Sequence, residues 1–275
     1  REGVLWDWKV AAYIWTKAIA AGIFLVLFLA SVLNVGPLTN STIWLGLVTS
    51  LVLLAVTGFL LVKDLDQPRR FLYVLLRPQW RSWLVRGAFV IGAYALGLTA
   101  HLLWGWRYLV VGAGGAHAPP GWLVVATGAL ALATAVYTAY LFAQAKARDL
   151  WQSPLLPAHL AVQSLLAGAA LLYPLLAARP EIARPTGWLL VGCAALHLLL
   201  VAGELTLTHG TAHARRAVAE MTRGRYRGFF WTSVAAIAFS LTLPITGLFA
   251  AAAALVGLAA YEHAYVQAAQ AVPLA

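Results

Sequence analysis

The stretch Ile43–Val62 reads IWLGLVTSLVLLAVTGFLLV, twenty residues without a charge, and it stops on Lys63-Asp64-Leu65-Asp66-Gln67-Pro68-Arg69-Arg70. A helix rises about 1.5 Å per residue, so about 20 apolar residues match the ~30 Å hydrocarbon layer of a bilayer. Working outward, comparable runs begin near Trp8, Trp83, Gly121, Leu155, Pro185, Phe229 and Thr246. The sequence therefore predicts an all-α integral membrane protein, a bundle of eight transmembrane helices in a single domain spanning 1–275. The run Phe229–Leu243 is short and is followed by Pro244. It reads as a helix joined to the last one by a tight turn, with a re-entrant pair as the alternative. An even number of crossings puts both termini on one side.

Composition agrees. The chain is 62% hydrophobic and 10% charged, with a mean hydropathy of +0.81, whereas a soluble domain carries about a quarter charged residues. Lys and Arg number 19 against 9 Asp and Glu. The excess sits in a few loops and reads as membrane orientation, not nucleic-acid binding. A single cysteine, Cys193, excludes a disulfide, a cysteine-rich zinc site or a cysteine-ligated cluster within the chain. Any redox metal must then belong to a partner. The first apolar run is followed by no small-residue cleavage signature, so it is expected to be a retained helix.

Charge alternates between connections. Asn34–Ser41 carries none, Lys63–Arg86 carries Arg69, Arg70, Arg77, Arg81 and Arg86, and Trp106–Pro120 carries only Arg107. Lys146 and Arg148 mark the fourth connection, Arg179, Glu181 and Arg184 leave the fifth nearly balanced, and Arg215, Arg216, Arg223, Arg225 and Arg227 load the sixth. The positive-inside rule then places connections two, four and six, with both termini, in the cytoplasm. The tryptophans near span ends suit an aromatic belt.

Charges inside a bilayer are costly and ask for a partner or a purpose. Lys17 lies about two and a half turns into the first helix, Glu204 late in the sixth and Glu262 late in the eighth. Asp64 and Arg86 bound the second loop. Tyr13 is four residues before Lys17 and His197 seven before Glu204, so each pair shares a helix face. These groups would make a polar path from the cytoplasm toward mid-bilayer. The blander alternative is a structural ion pair between Lys17 and Glu204 or Glu262, with Arg86 snorkelling to phosphates. By depth along the spans, no two histidines on different helices stand level, which argues against bis-histidine haem. His197 reads as a proton-relay, quinone-bonding or packing residue, and His117 and His159 as loop or boundary residues.

The segment Lys63-Asp64-Leu65-Asp66-Gln67-Pro68-Arg69-Arg70-Phe71, with Arg77-Pro78-Gln79-Trp80-Arg81-Ser82-Trp83 and Arg86-Gly87-Ala88-Phe89, closely resembles the second loop of the NrfD-like family of polysulfide reductase membrane subunits. The tail from Glu262-His263-Ala264-Tyr265 to Pro273-Leu274, and Ala20-Ala21-Gly22 in the first helix, are similar to that family too. The resemblance implies one NrfD-like transmembrane domain of the inner (plasma) membrane, without a redox metal of its own. It implies a ferredoxin-like iron–sulfur subunit and a molybdopterin catalytic subunit as partners, holding the clusters and the molybdopterin, and a bound menaquinone or ubiquinone. Tyr13, Asp64, Arg86 and His197 are then the expected quinone-binding residues. Lys17, Glu204, Glu262, Asp64 and His197 are the expected proton path, and Arg69, Arg70, Arg77 and Arg81 the docking patch. Lys17 departs from the apolar face expected there. The rival readings are a proton or ion transporter using the buried Lys and Glu residues, and a passive anchor.

Overall fold

The computed structural model describes residues 6–35, 40–64, 76–111, 119–145, 148–207 and 209–273 and, at 40, 64 and 106–111, the backbone alone. Among the described residues the protein is helical throughout, with no strand. The helices are α1 (Trp8–Val32), α2 (Asn40–Asp64), α3 (Trp83–Val111), α4 (Gly121–Ala143), α5 (Leu156–Leu175), α6 (Pro180–Thr206), α7 (Ala212–Thr222), α8 (Arg227–Ser240), α9 (Leu243–Thr246) and α10 (Leu248–Ala271). A short 3-10 turn, Asp149–Gln152, precedes α5. Seven of these helices are long and apolar enough to cross a membrane. The eighth expected span falls on α8, only 14 residues long, and on α9, where Gly247 at φ 54° turns the chain into α10.

Local chemistry sets the ends. Asp7 caps α1, its Oδ1 accepting from the Lys9 amide at 2.7 Å, and Asn34 takes a left-handed φ of 51° beyond its end. Thr211 caps α7 by accepting from the Ala214 amide. Helix α7 turns Ala214, Ala217 and Met221 inward and leaves Arg215 and Arg216 exposed. The arginine-loaded sixth connection, read as a loop from its charge, is thus partly an amphipathic helix.

Helix α1 is the axis of the bundle, buried over most of its length against α2, α4, α5 and α10. Small residues allow the approach: Gly22 of α1 meets Ser164 and Gly168 of α5 backbone to backbone. Hydroxyls lock α2 and α3 onto it, since Ser50 and Tyr94 both donate to the Ala20 carbonyl, at 2.6 and 2.7 Å. Large apolar side chains such as Phe59, Leu96, Leu103, Leu199 and Phe249 face outward, as expected where the solvent is lipid.

The two ends of the described chain are tied together. The Trp6 amide donates to Gln270 Oε1 at 2.8 Å, and Gln270 and Gln267 each donate to the Trp6 carbonyl. Trp6 also stacks with Phe142 and Trp151 at centroid distances of 5.2 and 4.8 Å. Arg148, read from sequence as an orienting loop charge, is instead buried. Its Nη1 donates to the carbonyls of Ala269, Gln270 and Val272, the last at 2.8 Å, so it caps the C-terminus of α10. Burial lowers the guanidinium from its ordinary value, and it stays charged at physiological pH. Trp6, Arg148 and the end of α10 together mark one face of the bundle, the termini face.

Candidate functional site

Lys17 lies nine residues into α1, roughly 13 Å along it, and is fully buried at 1% exposure. Its ammonium donates to the Ala135 carbonyl at 3.3 Å and to Thr138 Oγ1, both on α4, and stands 4.5 Å over the Tyr137 ring. Tyr13, one turn earlier on α1, is buried beside Tyr137. Glu262, on α10, lies nine residues before that helix ends. Because α1 begins where α10 ends, Lys17 and Glu262 stand at similar depth. Each lies within electrostatic reach of the other, without closing to a direct ion pair. A lone buried charge costs several kcal/mol, so each of these two opposite groups lowers the cost of burying the other. Of the two acids weighed as partners for Lys17, the fold selects Glu262.

Glu204 instead serves a second cluster nearer the termini face. Its Oε2 accepts from Ser153 Oγ at 3.2 Å, and its backbone carbonyl accepts from His209 Nε2 at 2.7 Å, which fixes the proton on that ring nitrogen. Tyr261 and Tyr265 sit within electrostatic reach of both Glu204 and Glu262. The Tyr265 hydroxyl donates to the Leu150 carbonyl at 2.9 Å.

His197 meets a partner that its sequence position hides. His159 Nε2 and His197 Nδ1 are 2.8 Å apart, both rings buried, with Tyr261 packed against them at centroid distances of 5.4 and 4.9 Å. This corrects two expectations. His159 is not a loop residue: it lies in the first turn of α5 with its ring buried against His197. Two histidines on different helices do stand level, because helix lengths and end positions shift the depth count. One proton bridges the two nitrogens, so the pair is a donor and an acceptor in series.

Arg86 stands apart from these groups. It is exposed, its Nε donates to the Trp80 carbonyl and its guanidinium lies 4.8 Å over the Trp83 ring. Arg77 and Arg81 are exposed on the same rim, which Gln144 pins to α4 through the Trp83 amide and the Arg81 carbonyl. Arg69, Arg70 and the Asp64 side chain lie outside the described residues. The residues that sequence reading passed over, His159, Tyr137, Thr138, Tyr261 and Tyr265, do leave a trace. Tyr261 and Tyr265, and Thr134 and Thr138, are i,i+4 pairs in apolar spans, and His159 stands four before Gln163.

A quinone needs hydrogen-bond donors for its oxygens and a proton supply. The interior offers buried polar atoms without a protein partner at Gln163 Oε1, Ser164 Oγ and Thr134 Oγ1, on α5 and α4, the helices that flank Lys17. The Ser164 and Thr134 hydroxyls can donate to a quinone oxygen, whereas Gln163 Oε1 can only accept.

The fold and the site together define a polytopic helical membrane protein that keeps ionisable groups in its interior. The family model described as "Polysulphide reductase, NrfD" matches residues 1–271, and the chain belongs to that family. Its members are membrane subunits of iron–sulfur and molybdopterin oxidoreductases linked to quinone. No curated protein matches the chain.

Proposed function

We propose that this chain is the quinone-interacting membrane subunit of a multi-subunit oxidoreductase. It passes electrons between a ferredoxin-like iron–sulfur partner and the quinone pool of the inner (plasma) membrane, beside a molybdopterin catalytic subunit. The observation that carries the reading is the buried Lys17–Glu262 pair, with the His159–His197 pair packed against Tyr261, the residue next to Glu262, and with Glu204 within electrostatic reach of Tyr261 and Tyr265. In this reading α8 and α9 together make an eighth passage, which returns the chain to the face where Trp6 meets Gln270. With the arginines of connections two and six on the termini face, that face is cytoplasmic. The exposed Arg77 and Arg81 supply a cationic rim for an acidic partner.

Quinone reduction takes up two electrons and two protons, so the protein must hold a head group and feed it protons. Tyr13 and the Lys17 ammonium are donors at the inner end of the polar system. Glu204, with Ser153 and His209, stands at its cytoplasmic end, and Tyr265, Tyr261 and Glu262 bridge the interval. The histidine pair passes a proton by exchanging which nitrogen carries it. Arg86 serves the rim, not the head group.

The test is quinol-linked turnover of the purified complex, with bound quinone extracted and identified, for wild type, Lys17→Gln, Glu262→Gln and Tyr261→Phe at equal assembly. Loss of turnover by about 10²-fold or more, with quinone and iron–sulfur partner retained, is the expected result. Unchanged turnover reduces the buried charges to structural fasteners. A protein that purifies without quinone or iron–sulfur partner supports the transporter reading.

A further inference from the structure

Helices α8 and α10 pack together, and residues of both line an open groove of about 610 Å³ on the bundle surface. Small residues make it: Gly228 on one side, Ala259 and Ala260 on the other, with Val256 at its inner end. The groove runs about two turns along α10, from His263 near the termini face to Val256 near mid-bilayer. Its mouth is cationic. Arg225 lines it, and Arg223 and Arg227 are exposed on either side. Glu220, the one acid in this segment, accepts from the Arg225 backbone amide at 3.3 Å. Among the described residues none of the three guanidinium groups closes an ion pair. The Arg225 guanidinium instead lies over the Tyr226 ring, 5.8 Å from its centroid. The His263 ring, which also lines the groove, packs 4.5 Å from that of Phe229.

We propose that this groove holds an anionic phospholipid of the adjoining leaflet, its phosphate against Arg225 and His263 and one acyl chain along Gly228, Ala260 and Val256. The volume lies within the range of roughly 300–1,000 Å³ that ligand sites use. Charge is what selects the occupant. Arg225 at the head of an apolar channel, with Arg223 and Arg227 exposed two residues away on either side in the chain, matches a phosphodiester with a hydrocarbon tail, whereas a quinone brings no anion to it. The site stands on a different side of α10 from Glu262 and is independent of the quinone reading.

The experiment is native mass spectrometry of the purified complex after exchange into detergent containing phosphatidylglycerol or, separately, phosphatidylcholine. Wild type is expected to retain phosphatidylglycerol in preference. Arg225→Gln should weaken retention about fivefold, equivalent to ~1 kcal/mol for one arginine at a membrane surface. Ala260→Leu, which fills the groove, should weaken it at least as much, and Arg216→Gln on α7 should not. Arg225 is exposed, so its replacement does not threaten the fold. Equal retention in Arg225→Gln and wild type, equal retention of the two lipids, or release of quinone or a partner subunit in place of phospholipid would each overturn the assignment.

Discussion

Replacing Gly22 with alanine adds one methyl group at the tightest crossing in the bundle. Built on the existing backbone, that carbon stands 1.7 Å from the Ser164 carbonyl oxygen and 2.8 Å from the Gly168 nitrogen. Non-bonded contact needs about 3.5 Å, so α1 and α5 must part by nearly 2 Å. Overpacking costs about 1–3 kcal/mol where side chains can yield. Here both obstacles are backbone, which puts Gly22→Ala at the top of that range or beyond. Because α1 carries Lys17, the displacement also disturbs the ammonium's contacts with Ala135 and Thr138 on α4. Equilibrium unfolding in mixed micelles measures the first effect and quinol turnover the second. Gly58→Ala and Gly192→Ala are the controls. Neither carbon meets anything within 4 Å, so both should gain up to about 1 kcal/mol from helix propensity. A Gly22→Ala protein as stable as Gly58→Ala would refute the close crossing and the packing derived from it.

Arg148→Met should strip the α10 C-terminus of a charged donor and cost about 1.5–3 kcal/mol, seen as a lower unfolding midpoint and faster proteolysis at the C-terminus. His159→Phe should leave His197 buried and unpaired, costing about 1–3 kcal/mol. The double variant His159→Phe/His197→Leu should recover that stability while turnover stays low, which separates fastening from proton transfer. At Asp7, burial pushes the carboxyl up, but hydrogen bonds and charge from Lys9 outweigh it and hold the group below its ordinary value. Its contribution is therefore complete above the unfolded pKa of roughly 3.9 and lost as the pH falls through the lower folded value. Asp7→Asn keeps the cap without that dependence, so wild type and variant should differ in stability above about pH 4 and converge under acid.

The fold was legible where physics forces the pattern. Uncharged runs such as Ile43–Val62 have no stable home outside a bilayer, and Lys17 and Glu262 announced themselves by their cost there. His159 reads in sequence as a loop or boundary residue because its place near the start of a span carries no signal of the His197 ring that meets it from another helix, 2.8 Å away. The role of Arg148 was hidden because an arginine in a connection carries the same one-dimensional signal whether it faces lipid phosphates or caps a helix. Tyr261 and Tyr265 were missed because tyrosine is ordinary near membrane boundaries. Only the meeting of α5, α6 and α10 shows that these two lie within electrostatic reach of both Glu204 and Glu262.

The selection of Glu262 by Lys17 also bears on how the protein is made. The two residues are separated by 262 − 17 = 245 positions, which a ribosome covers in roughly 12–50 s at about 5–20 residues per second. The first helix therefore enters the bilayer with a lysine whose counter-charge has not yet been synthesised. Thr138 and the Ala135 carbonyl arrive earlier with α4 and can shelter the ammonium in the meantime. Assembly closes only when the last helix docks and Gln270 takes hold of Trp6, so a chain truncated before α10 would be left with an unmatched cation, a ready mark for membrane quality control.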